Sequence, residues 1–380
     1  MSRSLSWAQV HGRRLRRSGL LEPGPVDRLP EVARSVCGIQ AQVMGAAEWA
    51  LGVRAGASTV EQVRSLIWEQ RQLVKAWSIR GTLHLMTAGD QPLWATAMLD
   101  HPSGEARHWH RQFGLDEAQG TGVLTAIADA LDGRVLSREE LAAAVTERLG
   151  PQIREPMMSH WGDMLAPAAY RGILCFGPSA GTKVSFARRD QWAAAGSWPY
   201  LGDALADAVL RYAAAYGPVS AADVGRWFAM RTGQARELLE KLADRFTTVD
   251  VAGTPGLVPA DDDIEWDDDP DGVWLLPQYD PYVLGCGLRD RVVPRPRCER
   301  IFQHGRGRYE GAVAQNVLLV DGVVAGMWRR VVRRSRVRVT VEAFVPLTAA
   351  DRERIAGRAA EMAAFHGAAP DVEFARLDAP

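Results

Sequence analysis

Apolar positions in the first third of the chain recur at helical spacing and then change to the alternation of strands. The elements predicted there are helices at residues 7–17 and 30–38, a helix opening at the capping-box sequence Ser58-Thr-Val-Glu61, and strands at residues 73–79 and 82–86. The two strands flank a break at Arg80-Gly81. Three helices followed by a β-hairpin indicate a winged helix-turn-helix.

The same order of elements is predicted twice more. The predicted helices lie near residues 117–131, from Ser137 onwards, up to residue 170, at 204–216, after Ser220 and at 233–245; the predicted strands lie at 173–176, 183–187, 247–251 and 257–258. The segments that begin at Gly133 and Gly217 are similar, since each places a short loop before a capped helix. This repeat predicts three winged-helix units in tandem.

The last quarter of the chain has a different pattern. Strands are predicted at residues 273–276, 317–320, 323–328 and 337–344, followed by a helix at 348–365 and a short strand at 372–374. Tight turns such as Asp321-Gly322 separate them, which indicates a small barrel-like sheet. The fold class is therefore predicted as α+β: three tandem winged helix-turn-helix units plus a small C-terminal β-barrel. The predicted segments are residues 1–115, 116–195, 196–262 and 272–380.

Composition limits the function classes. The chain has 380 residues, 47% of them hydrophobic, which is typical of a soluble protein of two or three domains. Its four cysteines are far apart in sequence, so they indicate neither a disulfide framework nor a zinc site. No signal sequence or membrane-length apolar run is present, and we expect a cytoplasmic, nucleoid-associated protein without a cofactor or metal.

Charge is distributed unevenly. The net charge is −1, yet residues 287–339 contain 13 arginines and four acids, a local excess of nine positive charges. Residues 261–271 contain eight acids and no base, which is typical of a solvated linker; they lack the spacing of an EF-hand. The basic segment favours a polyanionic partner. Because the chain has only three lysines, a general preference for arginine is an alternative reason for the clusters.

Two glutamines, Gln40 and Gln42, stand out because local structure does not require them. If this segment is extended, the alternation of a strand places both amides on the same side, where they are able to hold a water molecule. The alternative is that they are two polar residues at the end of a helix, bonded to backbone or solvent. These residues by themselves favour the second reading.

Five motifs then occur in an order that resembles a known family. They are Gly38-Ile-Gln-Ala-Gln42, Val74-Lys-Ala-Trp-Ser-Ile-Arg-Gly-Thr-Leu-His-Leu85, Ala168-Ala-Tyr-Arg-Gly-Ile-Leu-Cys-Phe-Gly177, Leu276-Pro-Gln-Tyr-Asp-Pro-Tyr-Val-Leu-Gly285 and Gly326-Met-Trp-Arg-Arg330. Together they resemble the AlkZ-like DNA glycosylases, a winged-helix superfamily. The resemblance implies a protein curved around duplex DNA and a catalytic Gln-x-Gln pair. In a related branch the second glutamine is replaced by aspartate, so this sequence is similar to the AlkZ branch. That branch implies self-resistance to DNA-alkylating antibiotics through excision of bulky guanine adducts or unhooking of crosslinks.

The implied chemistry accounts for an amide pair. Alkylation at guanine N7 makes the base cationic, so it departs as a neutral leaving group without a general acid. What remains is to position a water near C1′ and to stabilise an oxocarbenium-like sugar. With the resemblance, we favour catalysis by Gln40 and Gln42 in a monofunctional DNA glycosylase.

Six further residues are candidate DNA contacts: Arg80, His84, Asp280, Arg300, Arg306 and Arg308. The last three belong to an arginine-rich segment around Gly305 and Gly307 that predicts a flexible basic hairpin, with an ordinary solvated loop as the alternative. His84 is equally compatible with a core histidine, and Arg80 with a turn residue. For Asp280 the sequence favours a role in capping its turn.

Two other function classes remain open at this stage. One is a winged-helix transcription regulator, although such regulators usually carry one unit per chain and dimerise. The other is a protein that sequesters lesions without chemistry. The expected partner in every case is double-stranded DNA, with alkylated purines for the glycosylase, and the protein is expected to be a monomer that does not bind membranes.

Overall fold

The computed structural model describes residues 3–181, 183–194, 199–262, 266, 269–287, 289–302 and 314–376. Its α-helices are α1 Trp7–Arg17, α2 Leu29–Ser35, α3 Met44–Gly52, α4 Val60–Trp68, α5 Gln91–Leu99, α6 Glu117–Ala130, α7 Arg138–Leu149, α8 Arg154–Met158, α9 Ala166–Tyr170, α10 Arg189–Trp192, α11 Ala204–Tyr216, α12 Ala221–Phe228, α13 Thr232–Lys241, α14 Pro281–Gly285, α15 Arg289–Val292, α16 Arg295–Phe302 and α17 Ala349–Phe365. Its strands are β1 Ser4–Leu5, β2 Ile39–Gln40, β3 Leu73–Trp77, β4 Leu83–Thr87, β5 Val135–Ser137, β6 Leu174–Ala180, β7 Lys183–Arg188, β8 Phe246–Val251, β9 Thr254–Pro259, β10 Val273–Leu276, β11 Val317–Val320, β12 Val323–Arg333, β13 Arg336–Ala343 and β14 Ala369–Phe374.

The chain forms two compact units, and neither is continuous in sequence. The first unit contains residues 1–64, 210–224 and 239–380, and the second contains residues 65–209 and 225–238. The boundaries therefore differ from those of the four predicted segments. The mixed α+β class is as predicted, while the division into four segments stays an interpretation of the sequence.

The second unit has one apolar core. Trp77 of β3 lies within it, with its ring centroid 4.7 Å from that of Phe176 in β6 and 6.0 Å from that of Phe186 in β7. The antiparallel pair β3–β4 and the sheet of order β5-β7-β6 supply the strands, and α6 and α7 pack over them. Helix α7 begins where the sequence predicts, because Ser137 and Glu140 form the expected capping box.

The first unit contains an open sheet of order β10-β11-β12-β13-β14, with α17 packed on it. Strands β10 to β13 are antiparallel to their neighbours and β14 is parallel to β13. The two-residue turn Asp321-Gly322 joins β11 to β12 with both residues at positive φ, as a tight hairpin turn requires. The described strands form no closed barrel, so the barrel prediction is wrong. The parallel crossover through α17 leaves β10 and β14 on opposite edges.

Helix α1 has the predicted bounds, and two of its arginines are buried. Arg13 is fully buried and forms an ion pair with Asp262, and Arg14 donates to the backbone oxygens of residues 216–218. Asp262 belongs to the acidic run, whose Trp266 is also buried against the β8–β9 hairpin. Of the described residues in this run, Asp262 and Trp266 pack into the first unit, whereas the other acids, Asp261, Asp269 and Asp271, are exposed. The prediction of a solvated linker is therefore wrong for Asp262 and Trp266 and agrees with the exposure of the other three.

The helix-to-hairpin order predicted for the second and third repeats is present in the structure. Ser220 and Asp223 cap α12, and β8–β9 is an antiparallel hairpin with Ala252 and Gly253 at its turn. The capping box of α4 lies one residue later than predicted, at Thr59 and Gln62. Several helices have no counterpart in the sequence prediction, and the longest of them are α3 and α5. Both are apolar almost all round, so they lack the amphipathic period on which the prediction depends.

Among the described residues, no helix combines the length and the apolar character needed to cross a bilayer.

Candidate functional site

The Gln-x-Gln segment lies in the first unit immediately before α3. Gln40 ends β2 and is 7% exposed, whereas Gln42 follows in a bend and is exposed to solvent. Because the strand stops at Gln40, the alternation that would place both side chains on one side does not extend to Gln42. The Gln40 amide therefore lies within the protein. The Gln42 amide lies at the surface, two residues before the start of α3.

Three contacts hold α3 in place. The Trp49 indole donates to the Leu275 carbonyl of β10 at 2.8 Å, and its ring meets Phe365 of α17 edge to face. Near the start of the helix, Arg330 donates to the Gly45 carbonyl at 2.9 Å. The helix that follows the glutamines is therefore attached to the sheet and to α17. Burial lowers the pKa of Arg330.

A buried acid on α3 is neutralised by an ion pair. Glu48 is 5% exposed, and its two carboxylate oxygens accept bonds from Arg64 at 2.7 Å and 3.2 Å. The hydrogen bond to Glu48 raises the pKa of the Arg64 guanidinium. A carboxylate held in this two-bond geometry is committed to its partner.

Asp280 is also held in an ion pair with an arginine. Its oxygens accept from Arg54 at 2.8 Å each, and both side chains are fully buried. It also accepts from the Tyr282 amide at 2.9 Å, at the start of α14. The capping role that the sequence favoured is confirmed. A direct contact between Asp280 and DNA does not fit this burial, and that part of the prediction is corrected.

The five sequence motifs fall into two packed sets. In the first unit, α3 follows the motif that contains Gln40. Its Trp49 donates to the carbonyl of Leu275, the residue before the Leu276 motif, and its Gly45 carbonyl accepts from Arg330 of the fifth motif. In the second unit, the motif with Trp77 packs on the motif with Phe176. The motifs with Trp77 and Phe176, far apart in sequence, thus share the core of the second unit.

His84 and Arg80 both lie in the second unit. His84 is 1% exposed, and its Nδ1 lies 3.2 Å from the Thr82 carbonyl. Burial lowers its pKa from 6.5 to about 3, so the ring is neutral. This is the core histidine that the sequence left as an alternative, and a direct DNA contact does not fit its burial. Arg80 adopts a positive φ of 60° and is half-buried.

Trp227 contacts the Arg80 side chain in two ways. Its guanidinium lies 4.7 Å from the centroid of the Trp227 ring and donates to the Trp227 carbonyl at 3.0 Å. A non-glycine residue in the left-handed region is strained and needs such support. A contact between Arg80 and phosphate remains a prediction.

The arginine-rich segment is helical where it is described. Residues 295–302 form α16, not part of a hairpin, and Arg297 donates to the Val324 carbonyl at 2.7 Å. Arg300 lies on this helix, while Arg306 and Arg308 lie outside the described residues. The hairpin prediction is wrong for residues 295–302 and untested beyond them. A different part of the basic region does form a hairpin: β12 and β13, whose tip carries the exposed residues Arg333 and Arg334.

The sequence reasoning missed Glu48, Arg54, Arg64 and Arg330. One signal was present: Glu48 and Arg54 stand within the otherwise apolar run of residues 46–55, where a charge requires a buried partner. Their partners lie elsewhere in the sequence. The local pattern therefore indicates that each charge requires a partner, but it does not identify that partner.

Comparisons with known proteins give the family. Residues 33–365 match the family described as DNA glycosylase AlkZ-like. A curated relative, the interstrand DNA cross-link repair glycosylase of Streptomyces sahachiroi, is 30% identical over 369 residues that cover 95% of each chain. The chain belongs to the AlkZ-like DNA glycosylase family. Enzymes of this family are hydrolases of N-glycosyl bonds, and the resemblance drawn from the motifs is confirmed.

The structure of this AlkZ-like glycosylase is also similar to a solved one. The Streptomyces sahachiroi DNA glycosylase AlkZ superposes with a TM-score of 0.81 at 29% sequence identity, over 98% of this chain and 100% of the other. Since both chains are covered almost completely, the likeness extends over both units.

Proposed function

We propose that this AlkZ-like glycosylase hydrolyses the N-glycosidic bond of N7-alkylated guanine in duplex DNA, including bulky or crosslinked adducts. Its biological role in this proposal is self-resistance to a DNA-alkylating antibiotic. Family membership supports the reaction type, and the curated relative is named for interstrand crosslink repair. The neutral Gln40–Gln42 pair is the observation that carries the substrate class.

The positive charge of an N7-alkylated guanine accounts for the choice of substrate. A cationic N7-alkylguanine departs as a neutral base, so the enzyme needs a positioned water and no proton donor. In this proposal Gln42, which is exposed to solvent and DNA, accepts one hydrogen of that water, and the buried Gln40 accepts the other from the protein side. The buried acids on neighbouring elements, Glu48 and Asp280, support this reading because both are engaged in ion pairs. An amide pair avoids bringing a free carboxylate close to DNA phosphates.

DNA binding in this proposal uses winged helices and exposed arginines. The hairpins β6–β7 and β8–β9 follow helices in the order of a winged helix-turn-helix, which supports that assignment. The arginines at the tip of β12–β13, together with Arg300, Arg306 and Arg308, are the proposed phosphate contacts. The protein acts as a monomer near the nucleoid.

The test is the release of base from duplexes that carry a single N7-alkylguanine. Alkaline treatment after incubation cleaves the strand wherever an abasic site has formed, and chromatography identifies the released base. We expect strand cleavage and free alkylguanine in equal amounts. Tight binding without release would identify a sequestering protein. Binding to one unmodified sequence in preference to damaged DNA would identify a transcription regulator.

A further inference from the structure

A cavity of about 270 Å³ lies entirely within the second unit, away from the Gln-x-Gln segment in sequence. Its volume is just below the roughly 300–1,000 Å³ of typical small-molecule sites, which suits a ligand the size of one base. Aromatic side chains form much of the lining: Trp109, Trp161, Tyr170 and Phe228.

Trp161 differs from the other three because it is 84% exposed. A tryptophan face open to solvent beside a cavity is available for stacking on a planar ligand. The turn that presents it is fixed by the next residue. Gly162 has a φ of +75°, and a Cβ there would lie 2.1 Å from the Trp77 ring, so only glycine fits.

The cavity walls are also held in place. Arg171 donates to the Ala106 carbonyl at 3.2 Å and to the Pro167 carbonyl at 3.0 Å, which ties the loop before α6 to α9. His101 bonds through Nε2 to the Phe228 carbonyl and through Nδ1 to Ser103, both at 2.9 Å. The carbonyl accepts, so Nε2 carries the proton; burial lowers the pKa of this ring. The site is therefore formed before any ligand enters.

The charges of the lining favour a cation over a phosphate. Its charged side chains are Arg80, Glu105 and Asp163, one positive and two negative. Arg80 is already engaged with Trp227. Both acids are exposed, and Asp163 accepts one hydrogen bond, from the Ser159 hydroxyl at 3.3 Å. In a family that binds polyanionic DNA, an aromatic cavity with excess negative charge disfavours the sugar-phosphate backbone. It favours a planar ring that carries positive charge and hydrogen-bond donors.

We propose that this cavity binds an unpaired N7-alkylguanine base, with Trp161 stacked on the cationic ring and Glu105 or Asp163 accepting its N1–H and exocyclic amino hydrogens. Stacking and contacts to the Watson–Crick edge are the usual means by which proteins read a base outside the helix. The cationic ring strengthens both contacts, because it attracts the tryptophan face and the carboxylate more than neutral guanine does. This inference rests on the substrate class of the proposed function and adds a site that recognises it.

The test measures binding of 7-methylguanosine and of guanosine to the whole protein by calorimetric titration at mildly acidic pH. We expect 7-methylguanosine to bind at least about tenfold more tightly, a difference of about 1.4 kcal/mol. Trp161→Ala is expected to abolish that preference, and Glu105→Gln with Asp163→Asn to reduce it. The matched controls are Tyr200→Ala, which removes an aromatic side chain that is 86% exposed, and Glu147→Gln on the surface of α7.

The inference is overturned if the two nucleosides bind equally, if neither binds, or if Trp161→Ala binds like the wild type. Failure of the proposed function has a different signature. The wild-type protein would then release no alkylguanine from duplex DNA, whatever the nucleosides do. Gln40→Ala is expected to bind 7-methylguanosine normally, so the two ideas fail separately.

Discussion

Arg54 and Asp280 form two hydrogen bonds of 2.8 Å across 226 residues of sequence, with both side chains fully buried. Arg54 also donates to the Ser18 and Ala50 carbonyls, at 2.7 Å and 2.6 Å. This pair joins the end of α3 to the start of α14, and so connects the Gln-x-Gln segment to the C-terminal sheet.

Removing one partner of this pair is expected to be strongly destabilising. Asp280→Ala leaves a buried guanidinium without its anion, and we expect the free energy of unfolding to fall by about 3–5 kcal/mol. Denaturant unfolding of the purified variant measures it. The control is Glu22→Ala, which breaks the exposed pair with Arg16 and is expected to cost less than about 1 kcal/mol. Equal losses in the two variants would contradict the role assigned to Asp280.

The glutamine pair is tested by single-turnover excision. Gln40→Ala and Gln42→Ala are each expected to slow the release of N7-alkylguanine by about 10²–10³-fold, as for the loss of one preorganised polar group. DNA affinity is expected to change little, because arginines supply most of it. Gln72→Ala, an exposed glutamine in the second unit, is the control. Full activity in the Gln40/Gln42 double variant would remove the catalytic assignment.

Salt dependence locates the DNA-binding arginines. The double variants Arg306→Ala/Arg308→Ala and Arg333→Ala/Arg334→Ala are expected to weaken binding to all duplexes and to reduce the salt slope by about one unit per phosphate contact. Fluorescence anisotropy over a range of salt concentrations gives the slope. Arg28→Ala, which removes an exposed arginine paired with Glu31, serves as the control. An unchanged slope would place the substituted side chains away from DNA.

The rate of excision is expected to vary little with pH near neutrality. His84 is neutral there because burial lowers its pKa to about 3, and Glu48 and Asp280 are held in ion pairs. An amide pair has no proton to gain or lose in this range. Uracil and hypoxanthine are expected to be poor substrates, since their departing bases need protonation. A bell-shaped profile, or efficient release of uracil, would require an ionisable catalyst.

Acid is expected to destabilise the protein through two histidines. Burial lowers the pKa of His84 and of His11 from 6.5 to about 3. Above pH 6.5 the rings are neutral in both states, so they do not change stability. Between pH 6.5 and about 3 the unfolded chain binds protons that the folded chain excludes, and stability falls as the pH falls.

Urea unfolding at several pH values measures this effect. Between these pH values, each histidine is expected to lower the free energy of unfolding by about 1.4 kcal/mol for each unit that the pH falls. Replacing His11 or His84 by Gln is expected to flatten the pH dependence, whereas replacing the exposed His160 is expected to leave it unchanged. Identical slopes in all three variants would show that the buried rings do not control acid stability.

Local sequence patterns were sufficient to predict many of the secondary-structure elements and to identify the family. The bounds of α1, β10 and β11, the capping box at Ser137 and the turn at Asp321-Gly322 follow from periodicity, side-chain caps and backbone sterics, which act over a few residues. The family follows from the sequence by itself, because five motifs occur in one characteristic order along the chain.

Tertiary structure alone decided which charges are buried. Arg13 and Asp280 are both enclosed because partners more than 200 residues away satisfy them. Tertiary structure also determines that the C-terminal sheet is open and not a closed barrel. The deciding contact is the parallel pairing of β14 with β13. The sequence around a charged residue indicates whether that residue requires a buried partner. The identity of that partner is set by packing of the whole chain, which no local pattern contains.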